Sequence, residues 1–389
     1  MTTHVLIVDE RTFNVHLQYL FAGTGAKDKD VDFNNTSSTS LYAGKKSAGE
    51  NSLVGMMADG SRVRKGDFIV FYVQATHSDG KFYGIFQAKE DGIGIERYTP
   101  PAHPAQYLLS ELGKNLTFRF KVSPYKVYPE GVTEWEALDE IKHICSPQQM
   151  LWSLIYRKLR GNRGNTMITI YEADRLFDLI RKKNNNTQLN IPKNTSLEFQ
   201  GEKIIVTNTP QQKYTGTLDK VNLLPRMFYK YKNKLAHEAH LQQYITQNIG
   251  LGNNSSLDKA LGITNSQIEW IGNEVACGVG MQRIDVMISM EKSKDERILM
   301  PIELKAVPVT DTTVNQLYRY IDWIEQYYIP NRPSTIQPVL ICKAKDNSGT
   351  VSNAINSSFN TFNKNGKGRY LNLRFIQYIF DNTGNIVFF

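Results

Sequence analysis

The sequence predicts an α+β chain of several domains. A β-rich, barrel-like part covers 1–145, a connector of helices and a hairpin covers 146–225, and an α/β mixed sheet covers 226–389. Three observations carry this. The first part is a series of short apolar strands divided by glycine-bearing turns. The middle places apolar residues at helical spacing between Asn- and Gly-rich breaks. The last alternates strand-like and helix-like runs, the pattern of a mixed sheet with covering helices.

At 389 residues the chain is long enough for two or three domains. With 41% hydrophobic and 22% charged residues it is globular and can bury large cores. A net charge of +8 and a pI near 9.1 favour an acidic polymer as partner, although a merely soluble basic protein has the same balance. Cys145, Cys277 and Cys342 are far apart and form no C-x-x-C pair, so they read as thiols of a reducing compartment. The opening MTTHVLIVD has a short apolar run and no basic n-region, so no signal peptide is expected. No apolar run reaches membrane-spanning length, and a cytoplasmic protein without membrane association is the expectation.

In the first part HVLIVDE is a strand and NNTSSTS at 34–40 a polar loop. KGDFIVFYVQA and GKFYGIFQAKE are two strands joined through the turn His77–Gly80, and LTFRFKVSPYKVY supplies another. The run Lys65-Gly66-Asp67 leading to Phe71-Tyr72, followed by Tyr83-Gly84-Ile85 and later by Trp135-Glu136-Ala137-Leu138, resembles the EVE and PUA-like domains. That resemblance implies nucleic-acid binding, in some members with a flipped, modified base held in an aromatic pocket. Phe68, Phe71, Tyr72, Phe82, Tyr83 and Phe86 alternate between faces, and aromatics in such strands are more often core than cage. Arg62, Arg64 and Lys65 precede the strand. They can contact phosphates, or form a solvated turn.

The connector opens with SPQQMLWSLIYRKLRG, a helix with Ser146 as N-cap before Pro147. GNRGNT breaks it, and TMITIYEADRLFDLIRKKNNN returns to helical spacing with a basic end. Arg157, Lys158, Arg160 and Arg163 form a basic run that suits either a DNA backbone or a solvated helix end. SLEFQGEKIIVTNT reads as a hairpin turning at Gly201.

PRMFYKYKNKLAHEAH leads into the last part, with Lys230, Lys232 and Lys234 adding positive charge. His237-Glu238-Ala239-His240 spaces its histidines three apart, not the four of H-E-x-x-H, so zinc is rejected. The informative stretch is RIDVMISM, a charged tip EKSKDER, and ILMPIELKAV, a hairpin pattern. Glu303 and Lys305 lie two apart on a strand and share a face. Strand pairing brings Asp285 to the same corner. Two carboxylates and an ammonium among Ile284, Val286, Ile302 and Leu304 are costly to bury unless they bind something, and a hard divalent cation suits them. A solvated strand face with a cross-strand ion pair gives the same residues. NQLYRYIDWIEQYY follows as a helix on which Gln316 and Tyr320 share a face. VLICKA, VSNAINSSFNTF, YLNLRFIQYIF and NIVFF then read as strand, helix, strand and strand. Glu140-Ile141-Lys142 repeats the E-x-K spelling, but on a helical pattern where residues two apart diverge.

Asp285, the hairpin and Glu303-Leu304-Lys305 resemble the PD-(D/E)XK nuclease signature. Gln316 to Tyr320 resembles the Q-h-x-x-Y motif of its RecB-like branch, and the likeness to the NucS-type catalytic domain spans roughly the last 150 residues. The resemblance implies a restriction-endonuclease-like mixed sheet. It implies Asp285 and Glu303 as ligands of Mg²⁺, with Mn²⁺ as a substitute, the Leu304 carbonyl as a further ligand and Glu238 as an accessory one. Lys305 would orient or help deprotonate the attacking water, and a lysine beside a metal is expected to have a lowered pKa. Gln316 and Tyr320 would bracket the site. The expected function is a Mg²⁺-dependent endonuclease of double-stranded DNA, of restriction type, with the N-terminal part reading sequence or modification. The alternatives are a repair nuclease that reads mismatched or branched DNA, and a binding protein with a silent nuclease fold. Symmetric double-strand cutting would favour a homodimer. No G-x-x-x-x-G-K-[ST] loop occurs, so no ATP-driven motor is expected.

Overall fold

The computed structural model describes residues 1–25, 50–74, 79–96, 107–139, 164–263, 268–277, 282–346 and 348–389. These form two compact units, the first ending at Val221 and the second running from Asn222 to Phe389.

Unit 1 is built on β1 (Thr3–Asp9), β2 (Phe21–Thr24), β3 (Phe68–Gln74), β4 (Lys81–Ala88), β5 (Gly94–Glu96), β6 (Phe118–Pro124), β7 (Val132–Thr133), β8 (Asn165–Ile168), β9 (Ser196–Gln200), β10 (Lys203–Thr207) and β11 (Leu218–Lys220). The main sheet runs β11-β5-β6-β4-β3-β1-β8, with β2 also on β6 and β7 also on β4. β6 pairs with β2 and β5 through its first half and with β4 through its second, so the sheet curls around it into a half-barrel. β3 and β4 are antiparallel, while β1 lies parallel to β3. β9 and β10 form the hairpin read from the sequence, turning at Gly201 with φ 57°.

Two expectations need correction. The stretch read as a connector belongs, over 164–221, to unit 1: β8 extends the sheet beside β1, and β11 closes onto β5. The run TMI, read as helical, belongs to β8. Its helix starts at Ile170, where Thr169 and Glu172 make a reciprocal capping box, and Ala173, Leu176 and Ile180 pack on Val5, Val70 and Phe82. Two further helices, Glu10–Tyr19 and Glu50–Ser61, were not anticipated. The first is capped by Asp9, which accepts from the Thr12 N–H at 2.7 Å. The helix expected from Ser146, with Arg160 and Arg163, lies outside the described residues.

Unit 2 contains β12 (Ile268–Ala276), β13 (Arg283–Ser293), β14 (Glu296–Lys305), β15 (Thr335–Ile336), β16 (Val339–Lys343), β17 (Arg374–Phe380) and β18 (Ile386–Phe388). The sheet order is β12-β13-β14-β16-β17-β18, with β15 beside the start of β14. β12 to β14 are antiparallel, β14, β16 and β17 parallel, and β18 antiparallel again. Parallel neighbours need crossovers. These carry the helices Asn315–Trp323, prolonged by a π turn Ile324–Tyr328, and Asn353–Asn365. On one face Val286, Ile288, Ile302, Leu304, Ile341 and Ile376 pack on Leu241 and Ile245 of the helix Glu238–Asn248. The opposite face, which carries Glu303, meets the helix Asn315–Trp323. The chain is therefore a mixed α+β protein with a curled sheet and a separate mixed sheet. Among the described residues no helix is long and apolar enough to cross a membrane.

Candidate active site

Alternation in β13 and β14 creates the site. Ile284, Val286, Ile302 and Leu304 are fully buried, which turns the intervening Asp285, Glu303 and Lys305 toward the other face. Val286 pairs with Ile302, so Asp285 lies across from Glu303. Asp285 Oδ2 accepts from the Leu304 N–H at 2.8 Å, which pins its carboxylate over the neighbouring strand. Glu303 is only 1% exposed. Its Oε1 accepts from Lys305 Nζ at 2.5 Å and its Oε2 from the Tyr320 hydroxyl at 2.7 Å. That hydroxyl also lies 2.9 Å from the Arg283 carbonyl oxygen.

The charges explain the protonation states. Burial raises the Asp285 carboxyl well above its ordinary range, and repulsion from Glu303 and Glu238 adds to this against the Leu304 N–H and Lys305. Burial works against the Lys305 ammonium, but Glu303, Glu238 and Asp285 outweigh it and hold the amine above its usual value. The lowered lysine expected beside a metal is thus not found among carboxylates alone. Lys305 is a firm cation and a donor. The Tyr320 phenol is raised by burial and by Glu303, so it too stays a donor.

Glu238 opens its helix at an exposed position. Crowding by protein raises its carboxyl, while Lys305 and the Ala306 N–H favour its charge. It therefore acts on the same electrostatic field without joining the hydrogen-bonded core. Gln316 is half-buried and makes no side-chain hydrogen bond among the described residues. His237 spends both ring nitrogens on the Leu235 carbonyl and the Tyr378 hydroxyl. Gln242 was missed: its amide donates to the Asp285 carbonyl at 2.8 Å and fixes that backbone. Its signal was its position four residues after Glu238, on the same helix face.

Among the described residues no group of three or more His, Cys, Asp or Glu is arranged to hold a metal ion. The pair Asp285 and Glu303 nevertheless fits a hard cation that completes its shell with water or phosphate oxygens, as Mg²⁺ does. Their oxygens are hard donors, and their mutual repulsion is what a cation would relieve. Without metal, Asp285→Asn keeps an acceptor for the Leu304 N–H and removes the repulsion. In EDTA at pH 7 it should be about 1 kcal/mol more stable than the parent in urea unfolding. A raised carboxyl favours folding at low pH and loses that contribution as pH rises through its folded value. The gain from Asn should therefore vanish on acidification.

The nucleic-acid contacts assigned to unit 1 need correction. Arg62 is fully buried, with its guanidinium 2.8 Å from Asp59, so it cannot reach a phosphate. Arg64 is half-buried and donates to the Ser61 and Val63 carbonyls at 2.7 and 3.1 Å. Lys65 is exposed. Phe71, Tyr72, Phe82, Tyr83 and Phe86 are all buried in the core, and Phe68 is half-buried.

No family model and no curated protein matches the sequence. Two solved structures are similar to part of the chain. Human THYN1, solved in complex with DNA containing 5-methylcytosine, is 7% identical with a TM-score of 0.24, over 46% of this chain and 96% of that one. Rpa0253 from Rhodopseudomonas palustris, solved by NMR, is 12% identical with a TM-score of 0.23, over 46% of this chain and 93% of that one. Scores this low carry no inference of shared fold or function.

Proposed function

We propose that unit 2 is the catalytic half of a metal-dependent DNA endonuclease. The observation that supports it is the buried Glu303 carboxylate, clasped by Lys305 and Tyr320 with Asp285 beside it. A structural ion pair would be complete with Glu303 and Lys305. The addition of a second acid, with a third at the edge, raises the energy of the folded protein and is typical of a site that takes a cation and a phosphate.

Asp285 and Glu303 would hold Mg²⁺, with the Leu304 carbonyl as a further donor. When bound, the metal supplies charge neutralisation at the phosphate and a more acidic water. Lys305 donates toward charge developing on the scissile phosphate. Its contact with Glu303 places the ammonium beside the carboxylate pair, where it would also orient the attacking water. Tyr320 fixes the Glu303 rotamer, and Gln242 fixes the Asp285 backbone.

The test is plasmid cleavage with Mg²⁺ or with EDTA, on plain and cytosine-methylated DNA, beside Lys305→Ala. Cleavage that needs Mg²⁺ and falls about 10²- to 10³-fold in Lys305→Ala is the expected result. Discrete fragments from one plasmid only would support restriction-type recognition by unit 1. An intact plasmid in every lane, together with intact mismatched and bulged duplexes, would remove the reading. Mg²⁺ at about 100 times its Kd should also stabilise the protein by about 2.7 kcal/mol, an effect absent in Asp285→Ala.

A further inference from the structure

The strand row that holds Lys305 leads away from the carboxylates to a cavity. Lys305 pairs with Cys342 on β16, and Cys342 with Gln377 on β17. Partners in a row present their side chains to one face, and the Gln377 amide hydrogen-bonds the Cys342 thiol on it. Two strand spacings put Gln377 about 10 Å from Lys305. There Pro308 and Val309 after β14, Lys345 and Asp346 after β16, and the start of the helix Asn353–Asn365 border an open cavity of about 420 Å³. Val309, Val351 and Ile355 give it apolar walls. Gln377, only 5% exposed, is its buried polar group. Lys345 and Asp346 line it from exposed positions. Asp346 is engaged by the Ser348 N–H and hydroxyl at 2.9 and 2.5 Å.

The volume suits one small ligand, since such sites span about 300–1,000 Å³. It admits one nucleotide and excludes a duplex. Apolar walls accept the flat faces of a base. With one N–H given to the Cys342 thiol, the Gln377 carboxamide keeps its second N–H and its oxygen, a donor and an acceptor side by side, the pattern that reads a base edge. The separation of about 10 Å from Lys305 is a few nucleotide steps at 3.4 Å each. Lys345 supplies a cation for the backbone between.

We propose that this cavity takes an unpaired nucleobase of the strand whose phosphate lies at Glu303 and Lys305. The proposal rests on the nuclease reading and narrows its substrate to DNA with a base outside the stack, in preference to plain duplex. Extrusion costs least at a bulge, a mismatch or a strand end.

The test reads binding without cleavage, by fluorescence anisotropy in EDTA. The probes are a paired duplex, the same duplex with a one-base bulge, one with an abasic residue in the bulge, and one with an unpaired terminal nucleotide. The expected result is that the base-bearing bulge or the unpaired end binds about tenfold more tightly than the paired duplex, and that removing the base removes the gain. Which of the two binds tells an extruded internal base from a strand end. Ile355→Trp fills the cavity and should abolish the preference while paired-duplex affinity and Mg²⁺-dependent cutting persist. Gln377→Met keeps the volume and should weaken only the base-bearing probes. Equal affinity for abasic and base-bearing probes, a preference that survives Ile355→Trp, or no DNA binding would overturn the proposal. Mg²⁺-dependent cutting without base preference would leave the nuclease standing and the cavity unassigned. Base preference without cutting of any DNA would leave the base site standing and remove the nuclease.

Discussion

Glu303→Gln and Asp285→Ala are each expected to lower Mg²⁺-dependent DNA cleavage by about 10³-fold or more, while DNA affinity in EDTA holds or rises. The two halves of this result come from one geometry. Each substitution removes an anionic oxygen donor from the pair that would face the cation. Each also removes a negative charge that repels the DNA backbone, so binding without metal is not weakened. Full cleavage by both variants would show that Asp285 and Glu303 are structural.

Glu303→Gln and Glu303→Ala should separate in stability. Both variants lose the ion pair to Lys305, but the amide still accepts from the Tyr320 hydroxyl, whereas alanine leaves that hydroxyl without its side-chain acceptor. The hydroxyl keeps the Arg283 carbonyl as an acceptor, so the cavity and the one lost hydrogen bond should make Glu303→Ala about 1–3 kcal/mol less stable than Glu303→Gln in urea unfolding. The activity of the two variants should be equally low. Equal activity loss at unequal stability distinguishes a chemical role from mere unfolding.

The hairpin that carries this site was legible because strand alternation has a period of two. Apolar residues at 284, 286, 302 and 304 leave no freedom for where Asp285 and Glu303 point. Position alone did not reveal that Tyr320 would bond Glu303, since that depends on how the crossover helix lies on the sheet. The antiparallel edge strand β12 went unread, although Trp270, Ile271 and Val275 are buried in it. Unit 1 was harder. ERTFNVHLQY follows VLIVD without a break, so only Asp9 at the junction marked the helix start. ENSLVGMMADGS carries glycines at 55 and 60, which weaken helix propensity. Packing overrides this: an added Cβ at Gly60 would meet Ile93 at 2.5 Å. Arg62 looked like a surface charge because its partner Asp59 lies one helical turn back, inside that unrecognised helix. The capping box of Thr169 and Glu172 was in plain view and dated the end of β8, but the apolar spacing of MITI ran on into the helix and hid it.

Unit 1 is expected to lose about 2 kcal/mol of stability between pH 7 and pH 5 through one residue, His16. His16 is 1% exposed and packs edge-on against Phe21, with ring centroids 4.7 Å apart, and tilted against Phe71. Neither ring nitrogen has a hydrogen-bond partner among the described residues. Burial pushes its pKa down to about 3, with the Arg119 cation adding to the shift and Asp9 opposing it. The unfolded chain binds a proton near pH 6.5 and the folded chain does not. Stability from neutral His16 is therefore complete above pH 6.5 and drains away as the pH falls from there toward 3. Other groups titrate in the same window, His4 among them, since burial lowers it as well despite its contact with Asp67. The contribution of His16 is isolated by difference: His16→Phe fits the same aromatic cluster and carries no titrating group. Urea unfolding of both proteins at pH 7 and pH 5 should show the parent losing about 2 kcal/mol more than the variant. Parallel losses would mean that His16 is protonated in the fold, and so is not held in the dry aromatic core from which its depressed basicity follows.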